Sequence, residues 1–270
     1  MGVEIINTKE VSSSLKIPLW LTKWVMKLTK IKDLNKLYEN VHPAQGIDLM
    51  HKALHYNGTK AAVSEEMLAK IPKDGAFITV SNHPFGLLDG IMIISVIGRI
   101  RPDYKVIANY LLSMMEPLKD CFISVDPFEN KKDRKSGMGA FSRSLKRLEA
   151  GHPIGIFPAG EVATTYDGNP EVTDRPWSLS SMRLIKKANV PVIPIHFGGH
   201  NSSMFHRLGR IHPMLRTATI PREFFKKANT DIPFSIGDPI SAEEIQALDK
   251  PDAIRQHLRA KVFEMDPAKK

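Results

Sequence analysis

Short apolar runs alternate along the chain with longer stretches whose apolar residues recur every three or four positions. Ala76–Val80 (AFITV), Lys105–Ala108 (KVIA), Cys121–Val125 (CFISV), Ile154–Phe157 (IGIF), Val190–Ile195 (VPVIPI) and Ile232–Ile236 (IPFSI) are rich in β-branched and aromatic side chains and predict strands. The two prolines of VPVIPI place that strand at a sheet edge or beside a site. Helices are predicted over Leu87–Ile97, over Tyr110–Met115, over Met138–Glu149 with Gly151 as its stop, and over Ser178–Ala188. One or two more lie in 43–70, broken at Asn57-Gly58, and two short ones in 204–228, around Pro213 and Pro221. Ser241 with Glu244 forms a capping box, and a last helix runs from Asp252 to Met265. Residues 163–177 read as a polar loop. Strands alternating with helices predict an α/β fold, a mixed central sheet flanked by helices. Residues 1–70 read as an N-terminal helical membrane-docking segment, 71–240 as the main domain, and 241–270 as helices packed on it.

The N-terminal part carries the clearest amphipathic stretch, IPLWLTKWVMKLTKIKDLNKLYENV. Leu21, Trp24, Val25, Leu28 and Ile31 share one helix face, and Lys23, Lys27 and Lys30 share another. Tryptophan and lysine in that arrangement suit a helix lying in a membrane interface, its lysines at anionic headgroups. The same pattern also fits a helix packed on the protein's own core with a solvated lysine face.

Charge and composition narrow the class. The 270 residues include 38 Lys+Arg against 29 Asp+Glu, a net charge of +9, which suits an anionic partner. Aromatics make up only 7% and are not interleaved with the basic run, and no nucleic-acid-binding signature occurs, so no nucleic-acid partner is expected. No run approaches the ~20 apolar residues of a spanning helix. No apolar leader core is visible, and Ile6 stands where myristoylation wants Ser or Thr. The expectation is a soluble or peripheral protein. Cys121 is the single cysteine, which excludes an internal disulfide and a cysteine metal cluster and fits a reducing compartment.

Candidate chemistry centres on SNHPFGLLDG, residues 81–90, between a predicted strand and a predicted helix. A histidine at a strand end with an aspartate in the next helical turn is a base with an orienting group. No G-x-S-x-G elbow supplies a nucleophile, so His83 with Asp89 would activate a substrate hydroxyl directly. Taken alone, H-x5-D equally describes a packed histidine and a helix-capping aspartate. His51 and His55 lie one turn apart but lack a third ligand, and ordinary core or surface histidines explain them; no metal is expected. Lys131, Lys132, Arg134 and Lys135 form a basic loop, either solvated or touching anionic lipid or an acyl carrier.

HPFGLLD, IANYLL, FISVDP, IFPAGE and VPVIPI occur in an order that resembles the lysophospholipid acyltransferase family, of the 1-acylglycerol-3-phosphate acyltransferase type. The likeness implies transfer of an acyl chain from acyl-CoA or acyl carrier protein to a lysolipid hydroxyl, with His83 as general base, Asp89 as its partner and no cofactor. The implied substrate-binding positions are Asn82, Gly86, Asn109, Phe157, Pro158, Gly160, Glu161 and Arg183, with backbone N–H groups around Gly160 as a candidate oxyanion hole. The Leu87–Ile97 helix would pack in the core or line an acyl tunnel. The chain departs from the family pattern in several places. The His–Asp spacing is five rather than four, a residue that Gly86 can absorb. FISVDP lacks the family's phosphate-binding arginine, Asn109 replaces a lysine, and FPAGE moves the carboxylate to Glu161 without a following arginine. An acceptor without a phosphate follows from these losses.

HPFGxxDG, FPAGEV, GGHNS and GRIHPMLRTATIPREF, with IGDPI, resemble more closely the bacterial enzymes that O-acylate lyso-ornithine or lyso-glycine lipids. In those lipids Glu161 would meet an ammonium, or Arg183 a carboxylate. The alternatives are a lysophosphatidate or lysophospholipid acyltransferase and a non-catalytic lipid-binding protein of the same fold. The expected location is peripheral, on the cytoplasmic face of the inner membrane, against anionic lipids.

Overall fold

A computed structural model of the protein describes residues 27–109, 115–125, 135–166 and 169–267. Seven strands form one sheet in the order β1 (Lys60–Ala62), β9 (Asp231–Ile236), β8 (Val192–Phe197), β2 (Ile78–Ser81), β5 (Ile154–Ile156), β3 (Lys105–Asn109) and β4 (Phe122–Val125). Neighbours from β8 through β4 pair in parallel. β9 runs antiparallel to β8, and β1 pairs parallel with β9. The sheet is therefore mixed, as the alternation of elements predicts, and all six predicted strands lie in it.

Side chains alternate across the strands and feed two cores. On one face Ile193, Ile195, Phe197, Val106 and Phe234 pack with α1 (Ile31–Val41), α2 (Gly46–Asn57), α4 (Leu87–Ile100) and Phe224 of α9 (Ile220–Lys226). On the other, Ile78, Val80, Ile154, Ile156 and Val192 pack with α5 (Lys135–Glu149), α6 (Leu179–Ala188), α10 (Ala242–Ala247) and α11 (Pro251–Phe263). Coverage of both faces explains why β2 is buried at every residue and why its run reads as continuously apolar or small. α4 is apolar nearly all round because it is wedged between α2 and the sheet; Met92, Ile93, Ile94 and Ile97 are fully buried, so core packing is its role.

Four features depart from the expectations. β8 is an interior strand, so of the two placements its prolines allow, the sheet edge is excluded and the place beside a site remains. Its Pro194 is tolerated because the missing N–H falls where the β8–β9 ladder breaks, between the Ile195–Ile236 pair and the Val192–Ile240 bridge, while its carbonyl still accepts Gly237 N–H. Residues 163–177 contain a hairpin, β6 (Thr164–Tyr166) with β7 (Asn169–Thr173). Residues 203–226 hold three helices, α7 (Ser203–Ile211), α8 (Pro213–Ala218) and α9. The single amphipathic helix expected at the N-terminus is interrupted at Lys30, whose left-handed backbone (φ 64°) separates Leu28 from α1. Its earlier part, with Trp20, Leu21, Lys23, Trp24 and Val25, lies outside the described residues, as do 110–114 and the basic positions 131, 132 and 134. Among the described residues no helix is long and apolar enough to cross a membrane.

At the centre of the sheet Tyr104 lays its hydroxyl 2.6 Å from Thr79 Oγ1, over Gly155 of β5. A Cβ on Gly155 would stand 2.0 Å from that hydroxyl oxygen. Gly155→Ala is expected to destabilise the fold by about 3 kcal/mol, the upper part of the overpacking range, as measured by urea denaturation. An unchanged midpoint would show that Tyr104 moves aside freely.

Candidate active site

β2 ends at Ser81, but its pairing with β8 continues through a side chain. Asn82 Nδ2 donates to Phe197 O at 2.9 Å, and Asn82 Oδ1 accepts Phe197 N–H at 2.8 Å. The amide thus copies a backbone unit, and His83 is the first residue clear of the sheet. Its own backbone is held on both sides: the N–H donates to Asp174 Oδ1 at 3.2 Å and the carbonyl accepts Ala163 N–H at 2.8 Å. Asp174 Oδ2 in turn accepts the indole N–H of buried Trp177 at 3.0 Å.

The imidazole is fixed by two contacts. Its face stacks on Phe157, at the end of β5, with centroids 4.1 Å apart. Its Nδ1 lies 2.9 Å from Asp89 Oδ2, off the line of a well-aligned hydrogen bond. Asp89 is fully buried in the first turn of α4, and the same oxygen accepts Phe85 N–H at 2.9 Å and Gly86 N–H at 2.8 Å. These are N–H groups that a helix start leaves without partners, and a carboxylate there is favoured by the helix dipole. The aspartate is therefore both a cap and the neighbour of the histidine. Gly86 adopts φ 84°, ψ −101°, and a Cβ on it would lie 2.9 Å from Val162 Cγ2. That backbone state folds the extra residue of the H-x5-D spacing out of the way. From the GGHNS loop, Asn201 Nδ2 donates to Phe85 O at 3.3 Å, steadying the turn.

Glu161 lies beyond the turn at Pro158, in a charged cluster. Its carboxylate pairs with Arg175 Nε and, at 2.7 Å, with a terminal nitrogen of Arg216, and Tyr166 Oη donates to it at 3.4 Å. Arg216 is buried, whereas the Arg175 side chain is 61% exposed. Two cations that the spacing does not predict thus meet Glu161, one from the loop after β7 and one from α8. Gly160 N–H closes a turn on Phe157 O at 3.0 Å, so that group is already committed rather than open to an oxyanion. Pro158 is buried, its carbonyl accepting Ser178 N–H. Asn109 is exposed at the end of β3, and Arg183 is exposed on α6 between buried Met182 and Leu184. Structure therefore gathers Asn82, His83, Gly86, Asp89 and Phe157 into one constellation and carries Glu161 on the adjoining loop. His51 contacts Ser95 Oγ and Arg99, and no metal-ligating group of three occurs among the described residues.

An imidazole whose Nδ1 faces a buried carboxylate presents Nε2 as a base. The one cysteine is no rival nucleophile: burial pushes the Cys121 thiol up to about 11. A base with neither a reactive cysteine nor a G-x-S-x-G serine beside it suits direct attack by a substrate hydroxyl. The model of the acyltransferase family matches residues 4–266. The chain belongs to that acyltransferase family. It is 23% identical, over 97% of its own length and 96% of the relative's, to the lyso-glycine lipid O-acyltransferase of Bacteroides thetaiotaomicron. It is 24% identical to the lyso-glycine lipid O-acyltransferase of Phocaeicola vulgatus, over 97% and 93% of the two chains. The resemblance drawn from the motifs thus extends to nearly the whole chain, and the protein is an acyltransferase.

Two measurements test how this acyltransferase holds its histidine. Asn82→Ala leaves the buried N–H and C=O of Phe197 unpaired and is expected to cost about 2–4 kcal/mol in urea denaturation, since each orphaned group costs roughly 1–3. Burial raises the Asp174 carboxyl above its ordinary 3.8, against the Trp177 and His83 hydrogen bonds that lower it. An acid raised in the folded state favours folding when protonated. That contribution is complete below the unfolded value and lost as pH rises through the folded one. The Tm of the wild type relative to Asp174→Asn should therefore rise as pH falls from about 7 to 4. A flat difference would mean that Asp174 titrates in the fold as it does in the unfolded chain.

Proposed function

We propose that the protein transfers a fatty acyl chain from acyl-CoA or acyl carrier protein to the hydroxyl of a lyso amino-acid lipid, with lyso-glycine lipid as the preferred acceptor. The observation that carries the reading is His83, braced by Asp89 and Phe157 at the end of a central strand, with Nδ1 on the carboxylate and the side chain partly exposed. His83 Nε2 takes the proton of the acceptor hydroxyl as its oxygen attacks the thioester carbonyl. Asp89 stabilises the imidazolium that results. The tetrahedral intermediate collapses with cleavage of the C–S bond, and the imidazolium returns the proton to the departing thiolate. No acyl-enzyme intervenes.

The names of the two relatives favour a glycine headgroup, and so does the charge beside the histidine. An amide-linked glycine offers only a carboxylate, whereas ornithine adds an ammonium. Glu161 is engaged by two arginines and is a poor partner for an ammonium; the cluster has one positive charge in excess. Exposed Arg175, next in the chain to Asp174, is placed to receive the carboxylate. The protein works at the cytoplasmic face of the inner membrane, peripherally, with the amphipathic stretch that carries Trp20, Lys23, Trp24 and Lys27 against anionic lipid, while α1, α2 and β1 belong to the core and the sheet.

Purified protein is expected to acylate lyso-glycine lipid in preference to lyso-ornithine lipid and lysophosphatidate, with acyl-CoA and acyl carrier protein compared as donors. A clear preference for lysophosphatidate would overturn the acceptor assignment. His83→Ala should lower kcat by about 10²–10⁴, the usual contribution of a general base, and full activity in that variant would remove His83 from the mechanism. Arg175→Gln should raise KM for the glycine acceptor about tenfold, the effect of one charge-assisted hydrogen bond.

A further inference from the structure

The corner between α7 and α8 presents apolar side chains to solvent. Ile211 is 73% exposed, Met214 68% and Leu215 44%, the first two being the most exposed large apolar residues among those described. His212 makes the corner, its Nδ1 accepting Met214 N–H at 3.1 Å, so the three apolar groups stand on an ordered turn. The charge around them has one sign. Residues 203–227 contain Arg207, Arg210, Arg216, Arg222, Lys226 and Lys227 against one acid, Glu223. Glu223 is buried, bonded to the Ser202 N–H and hydroxyl and to Lys226. No carboxylate of the segment therefore reaches the surface.

We infer that this corner is a membrane wedge: Ile211, Met214 and Leu215 enter the acyl boundary of an anionic bilayer while Arg207 and Arg210 meet lipid headgroups. Apolar tips on a segment that carries several cations and no exposed acid of its own match the chemistry of such an interface. Its attachment gives the wedge a purpose. Arg216 pairs with Glu161, His206 Nδ1 lies 3.3 Å from Thr164 Oγ1, and Arg210 Nε donates to Thr165 Oγ1 at 3.3 Å. At the start of α9, Ile220 borders Gly86, in the turn whose N–H groups Asp89 caps. The α7–α8 corner is thus bolted to the Glu161 loop and to β6, and sets the bilayer surface beside the reacting hydroxyl. Its role in acceptor delivery rests on the lysolipid reading given above; the membrane contact itself does not.

The test is local to the corner, so binding through the N-terminal segment cannot mimic it. Cys121 is the single cysteine and is buried, so Met214→Cys can be labelled with a thiol-reactive NBD probe in the full chain. On vesicles of phosphatidylethanolamine and phosphatidylglycerol in equal parts, emission is expected to shift to the blue, to rise several-fold, and to be quenched by doxyl-labelled lipids. A probe at exposed Lys187, on α6, should not respond. Unchanged emission at position 214 on these vesicles overturns the wedge. So does a shift that depends on protein concentration without vesicles, which would mean that a second copy covers the corner. Should no acceptor be acylated while the 214 probe still buries itself, the substrate reading fails and the wedge stands.

Discussion

One carboxylate oxygen organises the site. Asp89 Oδ2 receives two backbone N–H groups from the turn before α4 and touches His83 Nδ1. Its place is set by helix capping, an obligation of folding, and the histidine exploits an anion that the helix start requires in any case. A packed histidine with a capping aspartate and a base with its orienting group are therefore the same object here. Because Asp89 is fully buried and held by the main chain, its orientation does not depend on substrate.

The surrounding architecture supplies the rigidity this arrangement needs. His83 leaves a strand with parallel neighbours on both sides, and its contacts come from the ends of those neighbours: Phe157 after β5, and Phe197 of β8 through Asn82. In parallel sheets the carboxyl ends of strands are where ligands gather, because the loops there emerge side by side. Helices on both faces leave that edge as the accessible one for chemistry. The hairpin β6–β7 and the helices α7 to α9 are built onto it; the loop after β7 carries Arg175 and α8 carries Arg216.

Much of this was legible as pattern. Six of the seven strands of the main sheet announce themselves by apolar, β-branched runs, and His83, Gly86 and Asp89 by their place between a strand and a helix. What escaped has physical reasons. β1 reads KAA and is a strand only because Asp231–Pro233 offers it a ladder. The β6–β7 hairpin hides in ATTYDGNPEVT, too short for a clear alternation, although its Asp-Gly is a turn signal. Arg175 and Arg216 cannot be assigned to Glu161 by spacing. The first lies on a loop and the second on a helix 55 residues further along the chain, a separation that carries no local signal. The left-handed backbone at Lys30 has no sequence marker, lysine being an uncommon occupant of that region.

Gly86 carries a lesson about how such motifs are counted. Its backbone state, open to glycine and costly to other residues, belongs to a five-residue spacer that brings imidazole and carboxylate to 2.9 Å. Spacer length and loop handedness are thus interchangeable coordinates of one geometry. Where a residue with right-handed backbone angles stands, the spacer must be short; where glycine turns left, it can be longer. A pattern written as a fixed count passes over chains of this kind, while one written as a contact, with glycine permitted to change the count, includes them.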